Sequence, residues 1–262
     1  MTWSAESLSS LPCKDGFRMR GEAMTRMEVF SDAAFAFAVT SLVMWTVTIP
    51  GNYAELLEAL KRVPGFALCF AQIAVFWIAH RSWSRRYGLE DRWTTGLTLF
   101  MIFTVLVYVF PLRLIFSTFL SWATQGWVPQ DFEANEAFEV KGLFAIYGVG
   151  FMALTGSLMA LYWRSYRSRE ELGLNEIELA LTRTGIAIWL TQFLVGLLST
   201  LWAATMPERI GVYAGFAYFL LPIAMAIISR HYGKKLAAAR NGSVAEETSM
   251  LESGPAAAGS DR

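Results

Sequence analysis

The chain has 262 residues, 55% of them apolar, and its 22 basic and 22 acidic side chains leave a formal net charge of zero. This composition excludes a disordered chain and argues against a nucleic-acid-binding protein, which would usually carry an excess of basic residues. The two cysteines suggest no disulfide framework, and His80 and His231 are too far apart to form a metal-ligand spacing.

The first 28 residues form a polar, basic segment without the apolar core of a signal peptide, so the first membrane segment is expected to act as its own insertion signal. Six apolar runs of roughly membrane-spanning length follow. They are Val29–Ile49, Pro64–His80, Thr94–Leu114, Gly142–Trp163, Thr184–Ala204 and Ile210–Ser229. Because backbone groups in lipid must be satisfied within each segment, the predicted fold class is all-α, a polytopic membrane protein with six transmembrane helices.

Basic residues mark one side of this predicted membrane domain, which covers residues 29–232. Lys and Arg are concentrated in the N-terminal segment, in the second and fourth connections and after the sixth span, whereas the third connection is acidic and contains Asp131. The positive-inside rule therefore places both termini in the cytoplasm. Arg113, near the outer end of span three, is expected to snorkel to the interface. Residues 233–262 are small and polar, which predicts a disordered cytoplasmic tail.

The first span has an unusual face. On an ideal helix, which advances about 100° per residue, a mostly apolar stripe includes two threonine hydroxyls. Its members are Arg26, Phe30, Ala33, Phe37, Thr40, Met44 and Thr48, with Ser41 at the edge. Such a stripe can line a narrow, partly dry passage in which hydroxyls help coordinate an ion. Alternatively, these hydroxyls can bond back to a carbonyl or to a neighbouring helix, which would make the stripe a packing surface, and helical geometry alone favours this alternative.

The start of this span carries the pattern Arg-x-x-x-Phe-Ser-Asp, and Asp32, its last residue, lies about 120° from Arg26 around the helix, so each charge needs a partner on another helix or in water. The end of span two reads "FWIAHRSWSRRY", with Trp77 and His80 in a Trp-x-x-His spacing, and the proline-bearing end of span three reads "FPLRLIFSTF". At these residues the sequence resembles the transmembrane protein 175 family. These are potassium-permeable channels of endosomes and lysosomes, with simpler bacterial relatives.

The resemblance implies a function and a set of sites. Bacterial members carry one six-span unit per chain and assemble as tetramers around a pore lined by the first span. The chain is thus expected to be a homotetrameric, potassium-permeable cation channel in a bacterial cytoplasmic membrane. The expected gate residues are Phe37, Ser41 and Met44, with Thr40 linked to cation preference. Arg26, Phe30, Ser31 and Asp32 would hold the span through hydrogen bonds to neighbouring helices, and His80 would donate to this motif.

Two gate positions depart from the family pattern. The family usually has isoleucine or leucine at the position of Phe37 and an aliphatic residue at that of Ser41. Four phenyl rings around one axis would make a tighter plug, whereas four serines would make a wetter passage. Conductance and selectivity are therefore expected to differ from the family pattern, and a constriction near Met44 is an alternative to one at Phe37.

Other functions find less support in the sequence. The stretch "YGVG" (Tyr147–Gly150) is similar to the filter of ordinary potassium channels, but it lies inside an uninterrupted apolar run, so its glycines are expected to permit close helix packing. Catalytic motifs are missing, which predicts a protein that is not an enzyme and needs no cofactor besides the permeant ion. A non-conducting scaffold or accessory subunit is the main alternative. A secondary transporter would require buried ionisable residues, which are almost missing from spans three to six.

Overall fold

The computed structural model describes residues 3, 5–21, 23–44, 49–132 and 136–233, with the side chains of Ala5 and Met44 left aside. The elements follow one another in chain order. They are α1 (Ala5–Ser9), β1 (Cys13–Lys14), β2 (Phe17–Arg18), α2 (Arg26–Met44), α3 (Tyr53–Leu60), α4 (Val63–Tyr87), α5 (Arg92–Ala123), α6 (Ala137–Arg167), α7 (Glu176–Thr205), α8 (Glu208–Gly211), a 3-10 helix (Ala214–Phe219) and α9 (220–233). The described chain is thus mostly helical, as predicted.

Five helical segments of the described chain are long and apolar enough to cross a membrane. They are Tyr53–Tyr87, Arg92–Ala123, Ala137–Arg167, Glu176–Thr205 and Glu208–Gly233, and they contain predicted spans two to six. The last is not one continuous α-helix, because the 3-10 helix separates α8 from α9. The first predicted span coincides with α2 as far as Met44, and residues 45–48 lie outside the described chain. The predicted tail is likewise outside it from residue 234 onward.

A small antiparallel hairpin in the N-terminal segment departs from the purely helical prediction. Cys13 pairs with Arg18 and Lys14 with Phe17. The two loop residues, Asp15 and Gly16, have φ values of 54° and 80°. Two consecutive positive φ angles are what a type I′ hairpin turn requires, and Asp-Gly is among the pairs that adopt them most easily. The hairpin therefore has a local cause in the sequence.

The glycines of the "YGVG" stretch lie inside α6 and bring neighbouring helices close. A methyl group at Gly148 would collide with the side chain of Thr200 on α7. One at Gly150 would come within 2.5 Å of the Tyr108 ring on α5. These contacts confirm that the stretch serves helix packing, since small residues let helix backbones approach closely.

Hydrogen bonds between buried side chains join the long helices. The indole N–H of Trp83 on α4 donates to the Ser165 hydroxyl on α6 at 2.9 Å. The Tyr87 and Thr182 hydroxyls bind one another at 2.7 Å between α4 and α7. Buried polar groups without partners would be costly in an apolar interior, so these pairs fix which faces of the helices meet.

The candidate pore helix and its supporting contacts

Helix α2 has one face that packs inside its own subunit. The buried residues of α2 recur every three or four positions, which is the period of a single helix face. They are Glu28, Ser31, Phe35, Ala38 and Leu42. This face packs against α5 and α4.

The opposite face of α2 is open, and it is the stripe that the helical geometry of the sequence predicts. The exposed residues on this stripe are Arg26, Phe30, Ala33, Phe37 and Thr40. Phe37 has 62% of its surface exposed. Ser41 is partly buried at the edge of the stripe, and the Met44 side chain lies outside the described part of the chain.

The two hydroxyls on this part of α2 bond within their own helix. Thr40 donates its hydroxyl proton to the carbonyl of Ala36, and Ser41 donates to that of Phe37, both at 2.9 Å. This is the back-bonding that the packing interpretation foresees. The same bonds leave the lone pairs of each hydroxyl oxygen available, because a hydroxyl has one proton and two acceptor sites. The geometry is therefore also compatible with coordination of a cation.

The four-residue motif at the start of α2 divides into different environments. The indole N–H of Trp77 on α4 donates to Asp32 Oδ1 at 2.7 Å, so this carboxylate has a partner on another helix, as expected. Ser31 is buried but donates to the Met27 carbonyl of its own helix at 2.8 Å. Arg26 and Phe30 lie on the exposed face. Within the described chain, the bond between Asp32 and Trp77 thus ties the motif to α4.

His80 does not bind the motif as the sequence suggests. Its ring is buried, and Nε2 lies 3.2 Å from the Thr98 hydroxyl on α5. The ring also packs beside Trp83, with 5.9 Å between the ring centroids. The hydrogen bond to Thr98 therefore joins α4 to α5, the two helices against which α2 packs. One turn of helix separates His80 from Trp77, so the Trp-x-x-His spacing provides a contact to each neighbour.

Replacing Trp77 with phenylalanine is expected to loosen α2 from α4. The change keeps an aromatic ring but leaves the Asp32 carboxylate without this donor, and lost hydrogen bonds to charged groups cost about 1.5–3 kcal/mol. Denaturant unfolding in detergent should report this loss of stability. Trp93→Phe is the matched control, because Trp93 is strongly exposed at the start of α5. If both variants unfolded at the same denaturant concentration, the hydrogen bond between Trp77 and Asp32 would not contribute to stability.

Residues 13–21, which we call the N-terminal clamp, connect the start of α2 to the ends of two other helices. The backbone N–H groups of Arg20 and Gly21 donate to the carbonyls of Arg86 and Arg85 at the end of α4. Arg85 in turn binds Glu28 of α2 through Nε at 2.9 Å. The start of α2 is therefore fixed from both sides, by the chain that leads into it and by a side-chain ion pair.

A buried carboxylate anchors the clamp to α7. Glu178 has no exposed surface and accepts hydrogen bonds from the guanidinium groups of Arg18 and Arg20. Beside them, Phe17 is fully buried and meets the Tyr87 ring edge-on at 5.2 Å. The sequence alone did not reveal this cluster, because Arg18 and Arg20 lie about 160 residues from Glu178 along the chain.

Long apolar helices and an exposed polar–apolar stripe define a multi-pass helical membrane protein. A family described as the endosomal/lysosomal potassium channel TMEM175 matches residues 26–111, which contain α2, α4 and most of the described motif contacts. A potassium channel of Marivirga tractuosa is 35% identical over 228 residues, covering 84% of this chain and 92% of that protein. The chain belongs to the TMEM175 family.

A solved structure agrees with this assignment. The crystal structure of a variant of the potassium channel MtTMEM175, in complex with a Nanobody-MBP fusion protein, has a TM-score of 0.73 and 33% identity to this chain. The match covers 86% of this chain and all of that one. Family membership also confirms the expectation that the protein is not an enzyme. Among the described residues, no group of three or more His, Cys, Asp or Glu side chains is placed to hold a metal ion.

Proposed function

We propose that the chain is the subunit of a homotetrameric, potassium-permeable channel of a bacterial cytoplasmic membrane. Six spans with both termini in the cytoplasm would form each subunit, and α2 would be the first span. Four copies of α2 would line one central axis, since cyclic symmetry places the same helix face of every subunit around it. Membership of a family described as potassium channels, and similarity to two potassium channels, support this function.

The open face of α2 is the observation that carries the choice of pore helix. A lipid-facing helix is expected to expose apolar groups alone, because polar groups in hydrocarbon are costly. Helix α5 fits this description, as it exposes Phe103, Val107 and Phe110. The exposed face of α2 instead combines Phe37 with the hydroxyl of Thr40. A face of this kind suits a narrow passage that contains ions and water.

The gate in this proposal is a ring of four Phe37 side chains. Apolar constrictions stop ions by dewetting, because an ion that enters a dry ring must leave its hydration shell. One turn further along, four Thr40 hydroxyls would present oxygen lone pairs towards the axis and favour potassium. The Ser41 hydroxyls and the Met44 side chains would complete this section of the pore. Asp32 would keep α2 in place through its bond to Trp77 on α4, and His80 would support this contact by joining α4 to α5. Arg26, Phe30 and Ser31 would complete the motif at the start of α2.

Ion flux from liposomes that contain the purified protein tests this proposal. Potassium gradients are expected to dissipate faster than sodium gradients, and the detergent-solubilised mass should correspond to four chains. Thr40→Val keeps the shape but removes the hydroxyl, so it should reduce the ratio of potassium to sodium flux. Thr191→Val on α7 is the control, because Thr191 makes the same bond to its own helix. A folded tetramer without flux would instead support the scaffold alternative.

A further inference from the structure

A cavity of about 400 Å³ lies at the end of the bundle away from the N-terminal clamp. Helix α4 runs between the two ends, and its 25 residues span about 37 Å at 1.5 Å per residue. The cavity is bounded by the last turn of the described part of α2, by α3, by the first turns of α4, by α5 and by the loop after α5. Its walls are mainly apolar, as illustrated by Leu42, Phe66 and Val128.

Two arginines and one aspartate line one part of this cavity. Asp131 binds Arg62 through Oδ1 and Arg113 through Oδ2, the second with an N–O distance of 2.9 Å. The expectation that Arg113 snorkels to the interface is incomplete, since this side chain ends in an ion pair. Each guanidinium has five N–H donors, so one shared carboxylate leaves donors on both. The group carries a net charge of +1, from two cations and one anion.

The cavity is open where membrane lipid would be found. Leu56 of α3 and Val63 at the start of α4 are exposed and belong to its lining. Arg62 directly precedes the first residue of α4, so the charged group lies at the level where that apolar helix begins. Apolar space next to cationic side chains at this level corresponds to the boundary between acyl chains and headgroups.

We propose that this cavity binds an anionic phospholipid, with part of one acyl chain inside it and the phosphate at Arg62 and Arg113. Arginine binds phosphate oxygens through two parallel N–H bonds, which a net positive group favours further. A space of this volume with mainly apolar walls is within the range of ligand-binding pockets. The inference is independent of the proposed ion conduction, since binding is measured without it.

The test is native mass spectrometry of the solubilised protein with phosphatidylglycerol or phosphatidylcholine. We expect retention of one phosphatidylglycerol per subunit and little phosphatidylcholine. Arg62→Gln should weaken phosphatidylglycerol retention about tenfold or more, as expected for the loss of a charge-assisted hydrogen bond. The matched control is Lys61→Gln, which removes the neighbouring charge of a side chain that pairs with Glu58 instead.

A second variant tests the cavity without touching its charges. Gly65 lines the cavity, and a methyl group there would make only an ordinary contact with Leu120 at 3.7 Å. Gly65→Leu should therefore fold, fill the space and abolish lipid retention. Gly96→Leu is the control, because Gly96 has open space around it.

Four outcomes would overturn the proposal. Equal retention of both lipids would remove the role of the arginines. If millimolar inorganic phosphate displaced phosphatidylglycerol completely, the arginines would form a simple anion site that does not require the acyl chain. Undiminished lipid retention in Gly65→Leu would show that the lipid binds elsewhere. If the native protein retained no phosphatidylglycerol, as it would if a second subunit covered the cavity, lipid binding at this site would be excluded.

Discussion

Potassium flux through Phe37→Ala is expected to exceed that of the native protein by at least about tenfold, which corresponds to lowering the barrier by about 1.4 kcal/mol. The Phe37 side chain extends from the open face of α2 and has 62% of its surface exposed in the single subunit. In the proposed tetramer, four such rings would close the axis. Replacing them with methyl groups would widen the constriction and let water enter, so that ions keep more of their hydration shell.

Liposome flux assays with potassium, sodium and caesium gradients measure this effect. Phe103→Ala is the matched control, because Phe103 has a similar exposure of 65% but lies on the apolar face of α5 that we assign to lipid. Its flux should equal that of the native protein. Phe37→Ile introduces a smaller aliphatic side chain, so its flux should lie between that of the native protein and that of Phe37→Ala. Unchanged flux in Phe37→Ala, with the protein folded and oligomeric, would remove Phe37 from the gate and move the search towards Met44.

The set of residues on the open face of α2 could be predicted from the sequence because it depends only on helical geometry, whereas the exposure of this face depends on how α2 packs. Once residues from Arg26 onward form a helix, the spacing alone puts Phe37 and Thr40 on one side. Spans two to six were predictable for a similar reason, since length and hydropathy are local properties. The Asp15–Gly16 hairpin also carries a recognised local signal, which the helical interpretation of the chain passed over.

Contacts between distant residues could not be predicted in the same way. Nothing in the local sequence indicates that Trp77 donates a hydrogen bond to Asp32, or that His80 forms its hydrogen bond with Thr98 and not with the motif at the start of α2. Both choices depend on how α2, α4 and α5 rotate about their axes when they pack. Similarly, the acidic third connection was visible as a charge pattern, but its Asp131 acquires a specific role only when the fold brings Arg62 and Arg113 to it.

The N-terminal clamp shows how these distant contacts relate to the candidate pore. Its backbone binds the end of α4, its side chains bind Glu178 of α7, and α2 begins at Arg26, five residues after Gly21. A methyl group at Gly21 would approach the Ser84 carbonyl to 2.5 Å, so the clamp lies directly against α4. The position of the proposed pore helix therefore depends on polar contacts outside the membrane-spanning residues of α2.

Glu178→Ala is expected to lower the free energy of unfolding by about 3–5 kcal/mol, the usual cost of removing one partner from a buried ion pair. The Arg20 side chain has no exposed surface, so it would remain as a buried charge without its carboxylate. In the native protein the hydrogen bond to Glu178 raises the pKa of Arg18 above its ordinary value, although burial opposes this.

Denaturant unfolding in detergent, followed by tryptophan fluorescence, provides the measurement. Glu170→Ala is the control, because Glu170 pairs with Arg169 on an exposed surface, where ion pairs contribute little. The free energy of unfolding of Glu178→Gln should lie between those of Glu178→Ala and Glu170→Ala, since glutamine keeps an acceptor oxygen and the side-chain shape but loses the charge. If Glu178→Ala unfolded like Glu170→Ala, the clamp would not stabilise the bundle. A large loss confined to Glu178 would show that the segment preceding α2 is a structural part of the membrane domain.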